Sequence, residues 1–302
     1  MDGIVALWKE RGMTSHDCVF QIRKLFKTKR VGHTGTLDPN VSGVLPICIG
    51  KATKIAEYMT NAGKTYEGEV TIGLSTTTED ADGETIEVKK VDKTFSRKEI
   101  LEVFERLTGT IEQTPPMFSA VKVNGKRLYE YARQGLEVER PKRTVTIYEL
   151  ELLDDREWFS GEFVSIPFRV VCSKGTYIRT LAVMIGQELG YPAHMSKLTR
   201  TASGGFSKTD CVTLSDLSKL AEKNQLETIL FPLEQGVSHL PKWNISDKVA
   251  EKVKNGAILE KPIDWPENDG KVAVFYKNRL MAIYQTHPTK QLYIKPVKVL
   301  TE

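Results

Sequence analysis

The chain has 302 residues, of which 40% are hydrophobic and 27% charged. That is ordinary globular composition with material for a sizeable core and length for about two domains, so it excludes disorder as the default. The net charge of +4 is modest but uneven: residues 1–60 carry nine basic and five acidic side chains, residues 61–237 carry 23 and 27, and residues 238–302 carry 11 and 7. Positive ends around an acidic middle fit a protein that touches a polyanion at two places.

Residues 4–8 read as a short strand. Ser15, with Asp17 in the next turn, starts a helix running to Phe26 with apolar positions Val19, Ile22, Leu25 and Phe26. Residues 43–49 form a continuous apolar run, and residues 52–61 have helical spacing ending at Gly63. Residues 65–74 alternate as a strand with one buried face. Ser96 and Glu99 form a capping box that opens a helix to residue 109. Two strands, residues 145–153 and 163–172, precede a helix over 177–189 closed by Gly190, and another helix covers 214–223. Strands and helices mix without strict alternation, which predicts an α+β fold on a mixed, largely antiparallel sheet with flanking helices. Residues 232–241 read as a boundary between a domain of residues 1–237 and one of residues 238–302. In the latter, a short helix over 246–255 and strands over 272–276, 280–286 and 292–299 predict a small β-barrel-like module.

Cys18, Cys48, Cys172 and Cys211 are scattered, with no CxxC pair and no His cluster at ligand spacing. This argues against structural zinc and a disulfide framework, and for reduced thiols in a cytoplasmic setting. The opening MDGIVALWKERG does not resemble a signal peptide, and no apolar stretch reaches membrane-spanning length.

The most informative run is residues 32–46, GHTGTLDPNVSGVLP. Pro39 pushes Asp38 toward extended geometry, and Gly32, Gly35 and Gly43 permit tight turning or close approach to a ligand. Upstream, Arg23, Lys24, Lys27, Lys29 and Arg30 supply a basic field suited to nucleic acid. From local chemistry alone, a Gly-rich turn whose Asp caps the next element explains the run equally well. Residues 114–144 show little periodicity and carry seven basic side chains against three acids, a charged arm that is either a solvated surface helix-loop or a nucleic-acid contact. DADGE at residues 80–84 lacks the ligand spacing of a calcium loop and reads as a polar turn.

GHTGTLDPNVSGVLPICIGKATK, KTYEGEV, TTTEDADGE, PPMFSAVKVNGKRLYEYARQG and SKGTYIRTL occur in an order and spacing that resembles the bacterial tRNA pseudouridine synthase B family, over about residues 1–237. The resemblance implies an isomerase that converts the T-loop uridine of tRNA (position 55) to pseudouridine around a central RNA-binding cleft, by base flipping and with no cofactor or metal. It implies Asp38 as nucleophile, Arg179 as its guanidinium partner, and Tyr66 as a ring that stacks on the uracil and takes part in proton transfer. It implies that His33 fills the space left by the flipped base, that Tyr177 and Leu198 line the uracil pocket, and that Lys54 contacts phosphate. Residues 114–144 become a thumb-like insertion gripping the T-arm stem-loop, with Lys126 and Arg127 among its contacts. Residues 238–302 resemble the PUA RNA-binding module, through NGAIL at residues 255–259. The family acts as a monomer with no obligate protein partner. Competing readings are a guide-RNA-dependent synthase, against which the insertion argues, and a non-catalytic tRNA-binding or folding protein, against which the set Asp38, Tyr66 and Arg179 argues.

Overall fold

The computed structural model describes residues 1–266 and 270–300, so positions 267–269 and 301–302 of the expected 238–302 module lie outside the described residues. The chain forms two compact units, one of Met1–Pro39, Val44–Ala62 and Ser203–Glu302, the other of Asn40–Gly43 and Gly63–Ala202.

In the first unit, strand Gly3–Lys9 and strand Val31–His33 flank strand Ser42–Ile49. The last is buried along almost its whole length, as its unbroken apolar run requires. Helix Ser15–Leu25 buries Ser15, Cys18, Val19 and Ile22. Its cap is Thr14, not Ser15: Thr14 and Asp17 form the capping box, and Ser15 turns inward instead. The predicted helix over 52–61 divides into a tighter 3₁₀ segment, Gly50–Ile55, and a short α-helix, Ala56–Asn61.

The same unit holds a five-stranded sheet in which Lys242–Asn244, Lys271–Tyr276, Arg279–Thr286, Tyr293–Val299 and Leu259–Glu260 are successive neighbours. One face packs around Trp243 and Trp265, whose rings meet edge-on at 5.5 Å. Ala273, Phe275, Ile283 and Leu300 share a core with Ile4, Val44, Cys48 and Ile55, so the two ends of the chain bury one another.

In the second unit the strand order is Ala193–Ser203, Lys64–Ile72, Val164–Cys172, Arg143–Leu152 and Gly109–Gln113. The last three pairings are antiparallel, whereas Ser42 and Gly43 run parallel to Thr199 and Arg200. The mixed, largely antiparallel α+β fold expected from the sequence is therefore present. Val164, Ile166, Phe168, Val170 and Cys172 are buried in strict alternation, the period of a strand with one face in the core. Helix Arg97–Leu107 presents Ile100, Val103, Phe104 and Leu107 inward at helical spacing, and Ser96 and Glu99 cap it reciprocally as predicted. Helix Ile178–Leu189 ends at Gly190, which adopts a left-handed φ of 86°.

Candidate active site

The backbone on either side of Asp38 is fixed by buried polar groups of the first unit. Thr34, fully buried, donates its N–H and its hydroxyl to the Pro46 carbonyl, at 3.1 and 3.3 Å, and its own carbonyl accepts from Thr60 at 3.0 Å. Gly35, at φ 150°, donates its N–H to His33 Nδ1 at 3.3 Å. Leu37 donates its N–H to Ser15 Oγ at 2.9 Å, and that hydroxyl faces the Leu37 carbonyl at 3.3 Å. The Pro39 carbonyl accepts from Gly12 N–H and from Lys9 Nζ, both at 2.9 Å. Asp38 itself is half-buried. Gly32 lies in an extended strand and not in a turn, with open space where a Cβ would stand. Lys54 is exposed and its ammonium donates to the Val299 carbonyl at 3.1 Å.

Two residues after Asp38 the chain is in the second unit, where the Asn40 amide donates to Asp82 at 2.7 Å. The turn at residues 77–84, read from the sequence only as a polar turn, organises Arg179. That guanidinium is 6% exposed; Nη1 donates to the Thr78 carbonyl and Nη2 to the Phe118 carbonyl, both at 3.0 Å, and Nε lies 3.7 Å from Asp80 Oδ2. A buried arginine is tolerable only with its donors and charge met in this way.

Tyr66 is buried on strand Lys64–Ile72, opposite Val170. Gly68, two residues on and therefore on the same face, has no room for a Cβ: the Lys197 carbonyl would be 2.8 Å away, and Leu198 Cδ1 and Phe168 Cζ 3.0 Å. Glycine there lets the neighbouring strand close in and brings Leu198 to the face that carries Tyr66. Lys64, on that face too, is buried, and burial with Arg200 nearby pushes its pKa down to about 8.

Tyr177 is held by its backbone. Its N–H donates to Gln113 Oε1 at 3.0 Å and its carbonyl accepts from Gln113 Nε2 at 3.2 Å, with Gln113 itself buried. Gln113, Asp80 and Thr78 were not singled out by sequence reasoning; a buried amide at a strand end carries no local signature, and the DADGE turn was set aside.

The arm at residues 114–144 is more regular than its sequence suggested. Lys122–Val123 and Lys126–Arg127 pair as a hairpin whose tip residues, Asn124 and Gly125, both have positive φ (50° and 84°), followed by helix Leu128–Arg133. Asn-Gly is the preferred pair for such a turn, so this signal was available. Leu128 is fully buried beneath it, and Tyr131 donates its hydroxyl to the Val123 carbonyl at 3.1 Å. Lys126 lies over the Tyr131 ring at 5.9 Å, while Arg127 and Arg133 lie over Tyr129 at 5.7 and 5.2 Å, presenting exposed cations interleaved with aromatic faces. Among the described residues, no group of three His, Cys, Asp or Glu side chains is placed to hold a metal ion, and no helix is long and apolar enough to cross a membrane.

Comparison with known proteins identifies the family. Residues 23–178 match the model of the TruB family pseudouridylate synthase N-terminal domain, and residues 179–238 match that of the tRNA pseudouridylate synthase B C-terminal domain. The chain is 64% identical to tRNA pseudouridine synthase B of Geobacillus thermodenitrificans (strain NG80-2), over 99% of both chains. It is 57% identical to tRNA pseudouridine synthase B of Bacillus cereus (strain ATCC 14579), over 99% of this chain and 97% of that one. Among solved structures, a Cbf5-Nop10-Gar1 complex superposes with a TM-score of 0.75 at 30% identity, covering 99% of this chain and 85% of that chain. An H/ACA RNP bound to a substrate RNA containing 2′-deoxyuridine gives 0.72 at 27%, with the same coverage. The protein is thus an enzyme of the isomerase class that makes pseudouridine. Within that class, the chain belongs to the TruB family of pseudouridylate synthases.

Proposed function

We propose that the protein acts alone, as a cytoplasmic monomer, to isomerise the T-loop uridine of tRNA at position 55 to pseudouridine. The observation that carries this reading is the 64% identity, over 99% of both chains, with a tRNA pseudouridine synthase B. The solved complexes that contain further proteins are only 30% and 27% identical, which favours a stand-alone enzyme over a guide-dependent one.

The reaction breaks the bond between N1 of uracil and C1′ of ribose, turns the base, and joins C5 to C1′; a proton leaves C5 and one is gained at N1. Nothing is lost, so the chain must supply a nucleophile, a grip on the base and a proton carrier. Asp38 is the nucleophile, attacking C6 of the base or C1′ of the ribose. The fixed backbone at Leu37 and Pro39 supports this, because a carboxylate held before the substrate arrives loses little freedom on reacting. Arg179 holds that carboxylate in one orientation through its guanidinium donors. Tyr66 stacks on the uracil and its hydroxyl carries the proton at C5, with Leu198 as apolar wall and Tyr177 as orienting ring. His33 enters the space vacated by the flipped base. Lys54, Lys126 and Arg127 meet phosphates, residues 114–144 grip the T-arm, and residues 238–302 add RNA-binding surface as a second domain after residues 1–237.

Incubating the full chain with unmodified tRNA transcript, and mapping pseudouridine by carbodiimide-blocked primer extension, tests the proposal. A single new stop at the T-loop uridine, absent with Asp38→Asn, is expected. Tight binding without any stop would refute it in favour of a binding protein or a guide-dependent enzyme.

A further inference from the structure

Three consecutive residues of one turn grip two consecutive residues of one helix. Thr78 and Asp80 hold Arg179, through the carbonyl at 3.0 Å and the carboxylate at 3.7 Å, and Glu79 between them accepts a hydrogen bond from Thr180 Oγ1 at 2.8 Å. The backbone of Glu79 is equally constrained. Its φ is +62°, a left-handed conformation uncommon for a residue of this kind. Its N–H donates to the Thr76 carbonyl at 3.2 Å, and its carbonyl accepts from Met195 N–H at 3.0 Å. Held backbone strain of this sort persists only where the surroundings enforce it.

The helix that receives the carboxylate needs it. Tyr177, at the N-cap of Ile178–Leu189, makes no side-chain cap, and the first turn contains no acid of its own. A helix start exposes unpaired N–H groups and a partial positive charge, and negative charge nearby stabilises it. Glu79 brings a carboxylate to the third residue of that helix from another element. Burial pushes its pKa up, against which the Thr180 bond and the Arg179 and Arg140 charges act, while Asp80 pushes it further up.

We propose that Glu79 is a positioning residue for the isomerisation: through Thr180 it fixes the first turn of the helix, and so the angle at which Arg179 leaves it. The inference rests on the role given to Arg179 above and deepens it. Glu79 touches neither uracil nor ribose in this account. Its effect falls on the rate of the chemical step and not on tRNA affinity, because the phosphate contacts lie elsewhere.

The test uses the full chain with unmodified tRNA transcript, measuring single-turnover pseudouridine formation at saturating enzyme and, separately, tRNA binding. Glu79→Ala and Thr180→Val are each expected to slow the step by between about 10-fold and 100-fold, the scale on which small misplacements act, with tRNA affinity unchanged. Thr180→Ser, which keeps the donor, is expected to restore most of the rate, and Glu79→Gln, which keeps an acceptor but loses the charge at the helix start, only part of it. The double variant Glu79→Ala/Thr180→Val should be no slower than either single one, since both break the same link. Should Glu79→Ala fold poorly, the isosteric Thr180→Val carries the test. Wild-type rates in Thr180→Val, or additive losses in the double variant, overturn the proposal. Arg179→Gln in the same assay separates the two readings: a full rate there removes the role of the arginine, whereas a loss there with a full rate in Thr180→Val removes only that of Glu79.

Discussion

Lys9, 1% exposed, donates its ammonium to the backbone carbonyl of Pro39 at 2.9 Å. The same ammonium donates to the carbonyls of Glu10 at 2.9 Å and Met13 at 2.7 Å. A buried cation is costly unless its donors are met, and here backbone oxygens from three places meet them. The result is a staple between the first strand, the turn after it and the residue that follows Asp38.

Replacing Lys9 with Met keeps the apolar stem and removes the staple. The Pro39 carbonyl retains its bond from Gly12, but the Glu10 and Met13 carbonyls lose this donor. Hydrogen bonds to charged groups are worth about 1.5–3 kcal/mol each and the buried charge itself is no longer desolvated, so a net loss of about 2–3 kcal/mol is expected. Urea unfolding should show a lower midpoint, and turnover at saturating tRNA should fall with it, because Pro39 is then held by one hydrogen bond instead of two. An unchanged midpoint would remove the staple from this account.

Ser15→Ala removes the hydroxyl that takes the Leu37 N–H. Leu37 and Ser15 are 4% and 2% exposed, so water does not readily replace it, and an orphaned N–H costs about 1–3 kcal/mol. The expected outcome is faster amide exchange at Leu37 and slower turnover, with tRNA affinity preserved. Exchange at Leu37 equal to that of the wild-type protein would contradict it.

Ser15 also illustrates how far the sequence could be read. Serine before an acid two residues on looks like a helix cap, but Thr14 with Asp17 does that work, and only the position of Leu37 reveals why Ser15 faces inward. Strongly periodic elements were legible because one buried face leaves a mark at every second or every third and fourth residue, as in Val164–Cys172 and Arg97–Leu107. Strand Ala193–Ser203 was not recognised. It is rich in Ser, Thr, Lys and Arg, with Arg200 fully buried, so its inward face is not apolar and alternation is hidden. Asp38, Tyr66 and Arg179 were legible as a family motif. The groups that hold Arg179 and Tyr177 in place, Thr78, Asp80 and Gln113, are set by contacts between residues about 60 to 100 positions apart, which no local pattern records.

Lys64 gives the stability a pH dependence of known sign. Its pKa falls from an ordinary lysine value to about 8 on folding, chiefly through burial and then through the Arg200 charge. Between about pH 8 and 10.5 the unfolded chain holds a proton that the folded chain has released, so this contribution to stability rises with pH across that window. Below about pH 8 both forms are protonated and the full cost of burying the charge is present. Lys64→Met should abolish this rise. Urea unfolding of both proteins at pH 7.5, 8.5 and 9.5 reads it: the wild-type protein should gain stability relative to the variant as pH increases, and a parallel pair of curves would show that Lys64 does not titrate there.

The hairpin at Lys122–Arg127 places Lys126 and Arg127 outward on a turn that depends on Gly125, whose φ of 84° a β-branched residue resists. If the two cations meet phosphates, replacing both with Ala should weaken tRNA binding and flatten its salt dependence. Each lost contact lowers the slope of log K against log salt by about 0.7–0.9, so the double variant should lose up to about 1.8 in slope. Gly125→Val should reproduce much of this effect with both charges still present, because the loss then comes from the shape that aims them. Rates measured with saturated complex should stay near wild type in both variants, since neither change reaches Asp38, Tyr66 or Arg179. An unaltered slope in the double variant would take the hairpin out of the RNA surface. A collapsed rate at saturation would instead make the arm part of the machinery that positions the uridine.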